Sequence, residues 1–245
     1  MKKHAPATVI AFIVAVALSV FNFSNVFDAI FNGSDQNAVD LPIVPMETIP
    51  LSEDVETLLE NVKIGDGDDY SSYDRTEWTS KYQYYSCKDL DHNDDGTLDC
   101  PGKYSSIRKY SFYESDWYDW EKDQYIDPYT NDVITDISKV DYDHIIPLAY
   151  AHAHGAALWT EEQKREFADD PTVGVCCSQF DNRAKGAKGP SEWMPSANQA
   201  SYCYTWLIIA NRFNLWLEQE DYDVIIKTLK GYKGELSIIN PYHND

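Results

Sequence analysis

The tightest constraint on this chain lies in residues 140–159, VDYDHIIPLAYAHAHGAALW. An aspartate and a histidine, Asp143 and His144, stand side by side after a short alternating run and just before Pro147. Residues 133–140 and 142–146 are strand candidates, and Pro147 marks the break because it has no N–H to give to a ladder. A purely structural strand gains more from valine than from two titratable groups. Neighbouring strand residues point to opposite faces, so an adjacent acid and imidazole serve one centre only at a strand end or bend. An imidazole that titrates near neutrality is well suited to removing a proton from water. A carboxylate beside it can hold a hard divalent cation. Alone, the pair reads as a surface aspartate beside a structural histidine.

A second segment changes that reading: FDNRAKGAKGPSEWMP, residues 180–195. The whole chain of 245 residues carries a formal charge of −21, yet residues 181–190 carry +2, from Arg183, Lys185 and Lys188 against Asp181. Two glycines let backbone approach a bulky anion, and Asn182 adds a neutral oxygen ligand. A carboxylate, a histidine, an amide and a short cationic patch are the parts of metal-assisted phosphodiester hydrolysis. The acidic body argues against broad, charge-driven binding to nucleic acid or anionic lipid.

The N-terminus addresses the compartment. Lys2 and Lys3 precede residues 5–23, which are almost wholly apolar, and no charge follows until Asp28. The run is near the roughly 20 residues of a membrane-spanning helix and long for a signal-peptide core of about 7–15. Residues 1–27 are therefore either an uncleaved membrane anchor or a cleaved signal. Both place the remainder outside the cell or at its surface. Pro42, Pro45 and Pro50 make residues 28–51 a tether, and the globular domain is expected over 52–245, with Ser52 capping its first helix.

Five cysteines suit an oxidising compartment. Cys87 and Cys100 are expected to close a local loop over 86–100, and Cys203 to pair with Cys176 or Cys177, leaving one thiol over. Absence of a C-x-x-C pair speaks against zinc. Inside the loop, Asp91, Asn93, Asp95 and Asp99 occupy oxygen-ligand positions of a calcium loop with Gly96 at its turn, although Gly102 stands where a full EF-hand has glutamate. The loop is either a structural Ca2+ site or a solvated acidic hairpin tip.

Elsewhere, the aromatic residues of 73–129 suggest packing, and 127–132 a turn. Residues 148–159 suit a helix or an ordered loop. Thr160 caps a helix over 161–170, a short strand covers 173–178, and helices follow within 201–236, over 201–218 and 222–230. Trp159 and Trp193 are expected in the core.

Asp141-Tyr142-Asp143-His144-Ile145-Ile146-Pro147 followed by Asn182-Arg183-Ala184-Lys185 resembles the HNH nuclease superfamily with its ββα-metal motif. The pattern is most similar to secreted HNH proteins that share a domain with the nuclease half of the modification-dependent GmrSD restriction enzymes. DHIIPLAYAHAHGAALW, NRAKGAKGPSEWMPS, CYTWLIIANRFNL, Tyr73-Asp74-Arg75 and Asp127-Pro128-Tyr129-Thr130 carry the likeness over residues 58–229. The resemblance implies an α+β fold: a ββα-metal (HNH, or His-Me finger) core over 136–195, embedded in a mostly helical domain with short strands. It implies His144 as general base and Asp143 and Asn182 as ligands of one divalent cation, Mg2+ with Mn2+ or Ca2+ as substitutes. Lys185 would steady phosphate or leaving group, Asp141 would support the site, and Arg183 and Lys188 would hold substrate backbone. The implied activity is a metal-dependent endonuclease on DNA or RNA without sequence-specific readout or small-molecule cofactor, leaving 5′-phosphate and 3′-hydroxyl ends. The loop bounded by Cys87 and Cys100 departs from the usual pattern, as does the asparagine in place of a last histidine.

Two rivals follow from other residues. One is a calcium-binding surface module with a vestigial nuclease motif. The other is a metalloprotease using His152 and His154, whose spacing matches no H-E-x-x-H motif.

Overall fold

The computed structural model describes residues 54–68, 70–79, 84–86 and 101–241. The expected leader, tether and Ser52 cap lie outside the described residues. So do Cys87, Cys100 and the calcium-loop candidates Asp91, Asn93, Asp95 and Asp99. The first described helix, α1 (Val55–Asn61), is capped by Asp54, whose carboxylate accepts from the Glu56 N–H. Strands β1 (Lys63–Ile64), β2 (Tyr85–Ser86) and β3 (Lys103–Tyr104) are two residues each. Ser106 caps α2 (Ile107–Tyr113). A small antiparallel meander follows: β4 (Tyr118–Asp119), β5 (Gln124–Ile126) and β6 (Val133–Ile134).

The expected strand over 133–140 is broken. Asp136 accepts from the Ser138 N–H (2.8 Å) and caps a 3-10 turn over Ile137–Lys139, a local bond that competes with a ladder. Val140 instead begins β7 (Val140–His144), which pairs antiparallel with β8 (Gly174–Ser178). The register runs from Val140 opposite Ser178 to His144 opposite Gly174. Between them lie α3 (Leu148–Ala153) and α4 (Glu161–Asp169). Gly155, at φ 122°, ends the first helical run, as only glycine does without strain. Helix α4 starts with a full capping box between Thr160 and Gln163, with Glu161 and Glu162 at its positive end.

Directly after β8 the chain turns into α5 (Gln179–Lys185), because the Ser178 hydroxyl accepts from the Asp181 N–H (3.1 Å). It stops at Gly186, at φ 57°. Helix α6 (Gln199–Arg212) is shorter than the 201–218 expected. Asn214 adopts φ 54°, and Trp216–Leu217 becomes β9, parallel to β1. Helix α7 (Gln219–Gly231) completes the order. The mixed helix and short-strand content is that of an α+β protein. Among the described residues no helix is long and apolar enough to cross a membrane.

Helix α6 is buried on nearly every side and forms the axis of the main core, where Trp206, Leu207 and Ile209 meet Leu58, Ile145, Ile146, Phe167 and Ile225. A second cluster, Phe112, Tyr118 and Tyr125, packs beyond the β7–β8 pair. The pair lies between these two cores, which is why β8 is buried on both faces: Cys176 faces the second cluster and Cys177 the first. This corrects the disulfide expectation, for Cys176, Cys177 and Cys203 are all buried free thiols. The Cys176 thiol donates to the Arg108 carbonyl, and Cys203 bonds the Thr228 side chain on α7. Strand alternation turns the Cys176 and Cys177 thiols to opposite faces of β8.

Candidate active site

Alternation along β7 sorts the candidate residues into two sets. Asp141 and Asp143 share one face with Cys177 and Val175; Tyr142 and His144 share the other with Cys176 and Gly174. Helix α5 packs on the pair and brings Asn182 and Lys185, three residues apart and so on one helix face, to the two aspartates. The Asn182 amide donates to Asp141 Oδ2 at 3.2 Å. Lys185 Nζ donates to Asp143 Oδ1 at 2.9 Å and to the His144 carbonyl at 2.7 Å.

Lys185 is the main departure from the sequence reading. Expected to meet phosphate, it is fully buried and ion-paired to Asp143, whose side chain is 5% exposed. Tyr129, also buried, donates its hydroxyl to Asp143 Oδ2 at 2.6 Å. Asp143 is therefore engaged on both oxygens, and its burial lifts the carboxyl pKa despite the downward pull of Lys185 and Tyr129. Asp141 and Asn182 are only half-buried, which makes Asp141 the more open carboxylate. Among the described residues no group of three or more His, Cys, Asp or Glu side chains is arranged to hold a metal. The oxygen set here is two carboxylates and an amide.

His144 is on the far face, at the last position of β7. Its ring meets the Tyr142 ring edge-on, centroids 5.2 Å apart, and its Nε2 lies 2.8 Å from the Ala168 carbonyl at the end of α4. A carbonyl only accepts, so Nε2 carries the proton and Nδ1 of the neutral ring is left with its lone pair. Burial pushes the His144 pKa down to about 4; the Ala168 carbonyl opposes this, and Arg75 and Lys185 add to it. The ring is thus neutral at physiological pH. Tyr142 lies across Gly174, where a Cβ would strike its ring.

Arg183 and Lys188 are exposed at the end of α5 and just beyond it. Lys188 Nζ caps the Ala184 carbonyl at 2.9 Å and Arg183 reaches Gln179 at 3.4 Å. His152 and His154 do not form a joint site. His152 Nε2 bonds the Ser72 hydroxyl (2.9 Å), while His154 Nδ1 bonds the Tyr150 carbonyl (2.7 Å) and its ring stacks on Tyr150. Both are buried among aromatic rings. Trp159 is core, as expected, and Trp193 packs against it half-buried.

Residue-by-residue reading missed the parts that hold the site. Tyr129 and Asp127 come from the turn after β5. Buried Asp127 accepts from the Tyr129 N–H (2.9 Å) and the Ser178 N–H (2.8 Å), tying that turn to the start of α5. Arg75 comes from a 3-10 turn capped by Asp74. The only signal for them was the likeness of the DPYT and YDR strings.

No family model matches the chain, and no solved structure matches it. An "Uncharacterized secreted protein" of the fungus Arthroderma benhamiae is 35% identical over 92 residues, 36% of this chain. The match spans 45% of that protein's own length.

Proposed function

We propose that the protein is an exported, metal-dependent endonuclease of the HNH type that hydrolyses phosphodiesters of DNA or RNA, its core being the ββα unit β7–β8–α5. The observation that carries this reading is the meeting of Asp141 and Asp143 with Asn182 and Lys185 on one face of β7, with the carbonyl-anchored His144 on the other face at the strand's last position, where the chain breaks at Pro147. Export is supported by the apolar N-terminal run and by the description of the fungal relative as secreted.

The donor set fits a hard divalent cation, which takes oxygen ligands and needs only one or two protein carboxylates. Asp141 and Asn182 would hold it, with Asp143 joining by yielding one oxygen from Lys185. Such a cation supplies charge neutralisation of the phosphate and stabilisation of the leaving oxygen. His144 Nδ1 accepts the proton of the attacking water, and the Ala168 carbonyl keeps the other nitrogen protonated and the ring fixed. Lys185 acts as a positioning residue, clamping the Asp143 carboxylate and the His144 backbone to one point. Arg183 and Lys188 bind flanking phosphates, and the few contacts of an otherwise acidic protein make binding fall with salt.

The test is plasmid incubated with purified protein and magnesium, with and without EDTA, beside His144→Ala. Cleavage is expected only from the intact protein with metal. Cutting at the parent's rate by the alanine variant would remove His144 from the mechanism.

A further inference from the structure

Next to α5 lies an open cleft of about 420 Å3, of which the reading above uses only the cationic wall. That volume lies in the range of small-ligand sites, roughly 300–1,000 Å3. Tyr70, Arg183, Lys185, Lys188, Glu192 and Glu218 line it, so both charge signs share one wall system with an aromatic ring.

The cleft is built, not incidental. Exposed Arg183 and Lys188 belong to α5 and the turn after it, the segment that also carries Asn182 and Lys185 of the candidate active site. Tyr70 is 41% exposed, and the edge of its ring meets the buried His154 ring at 6.4 Å. Glu218 stands just before α7 with its N–H donated to the Tyr150 hydroxyl (3.2 Å), and its Oε1 lies 3.4 Å from His154 Nε2. Apart from this contact the nitrogen makes no hydrogen bond among the described residues, although the His154 side chain is fully buried. Glu192 sits on a loop fastened from below: Asp221, itself 1% exposed, accepts from the Ser191 N–H (2.8 Å) and the Tyr150 hydroxyl (2.7 Å). Gly189 packs so closely on the Asp221 carboxylate that no Cβ fits. Glu218 lies at the Tyr70 end, since its Oε1 approaches the same His154 ring that Tyr70 meets edge-on, and Glu192 lines the same cleft.

We propose that this cleft is a nucleotide subsite selective for guanine, with the base on Tyr70, its Watson–Crick edge on Glu192 and Glu218, and its phosphate on Arg183 and Lys188. A carboxylate is acceptor-only and binds two adjacent N–H groups at once. Guanine alone among the bases offers adjacent imino and amino donors. Adenine and cytosine place an acceptor nitrogen beside their amino group, and uracil and thymine flank one N–H with two carbonyls. Each of these turns a lone pair toward the carboxylate. The stacking face is base-tolerant and adds affinity for every nucleotide. The proposal rests on the nuclease reading and sharpens it, from unselective cutting to cutting beside guanine.

The test is titration of the full chain with guanosine, adenosine, cytidine and uridine 5′-monophosphates by calorimetry in EDTA buffer. The guanine nucleotide is expected to bind about tenfold tighter than the others, in line with one good bidentate contact. Glu192→Gln combined with Glu218→Gln removes that margin with the circular dichroism spectrum unchanged, and Tyr70→Ala weakens all four nucleotides. Equal binding of the four, no binding of any, or a margin that survives the double substitution overturns the subsite. No metal or cleavage enters this titration, so its failure leaves the plasmid assay to stand or fall alone.

Discussion

Replacing Lys185 by methionine keeps the length of the side chain and deletes its charge. The change leaves Asp143 buried with the Tyr129 hydroxyl as its remaining side-chain donor. Removing one partner of a buried pair costs about 3–5 kcal/mol, and the retained Tyr129 bond sets this case near the low end, about 3 kcal/mol. In a domain of this length each kcal/mol moves Tm by roughly 2–4 °C, so the expected loss is about 6–12 °C at pH 7.5. The sign of the pH dependence follows from the carboxyl. Burial already holds its folded pKa above the unfolded value, and losing the ammonium raises it further. The folded variant then binds a proton that the unfolded chain does not, so its stability is lost as pH rises through that pKa and regained below it. The deficit shrinks between pH 7.5 and pH 5. Asp143→Asn combined with Lys185→Met, which buries no charge, is expected to recover most of the loss. Calorimetric scans of the parent and both variants at the two pH values decide it. A single variant within a degree or two of the parent, with no change on acidification, would refute the buried-pair argument.

Four further outcomes are expected. If His144 is the base, protonation of its own ring slows cleavage only as pH approaches about 4, because the ring is neutral above that value; a rate profile across pH 4–8 without a loss near the ordinary imidazole value of about 6.5 reads this. Gly174→Ala forces the Tyr142 ring off the strand and is expected to cost about 1–3 kcal/mol by overpacking, read by denaturant melts. Asp127→Ala strips two backbone N–H groups of their acceptor, at about 1–3 kcal/mol for an unsatisfied group, with loss of cleavage as the start of α5 loosens. Alkylation of the denatured, unreduced protein labels Cys176, Cys177 and Cys203, seen by peptide mass.

Local rules carried much of the fold. The capping box at Thr160, the apolar character of residues 199–212 and the punctuation by Gly155 and Gly186 are contained in a few neighbouring residues, and the helices appear where those signals stand. Residues with a strong local competitor were less legible. Asp136 bonds its own backbone and interrupts what reads as one strand, and Asn214 turns the chain out of α6 before Trp216.

For the candidate site, the sequence by itself determined which chemical groups are available, an acid pair, an imidazole, an amide and cations, and that adjacent Asp143 and His144 must face opposite ways on a strand. Only the tertiary structure decided what waits on each face. Lys185 and Tyr129, from 42 residues downstream and 14 upstream, close on Asp143, and Ala168 closes on His144. Those contacts depend on the antiparallel register of β7 with β8 and on how α5 packs over them. Such long-range pairing is set by the burial of two cores together, which no short window of residues encodes.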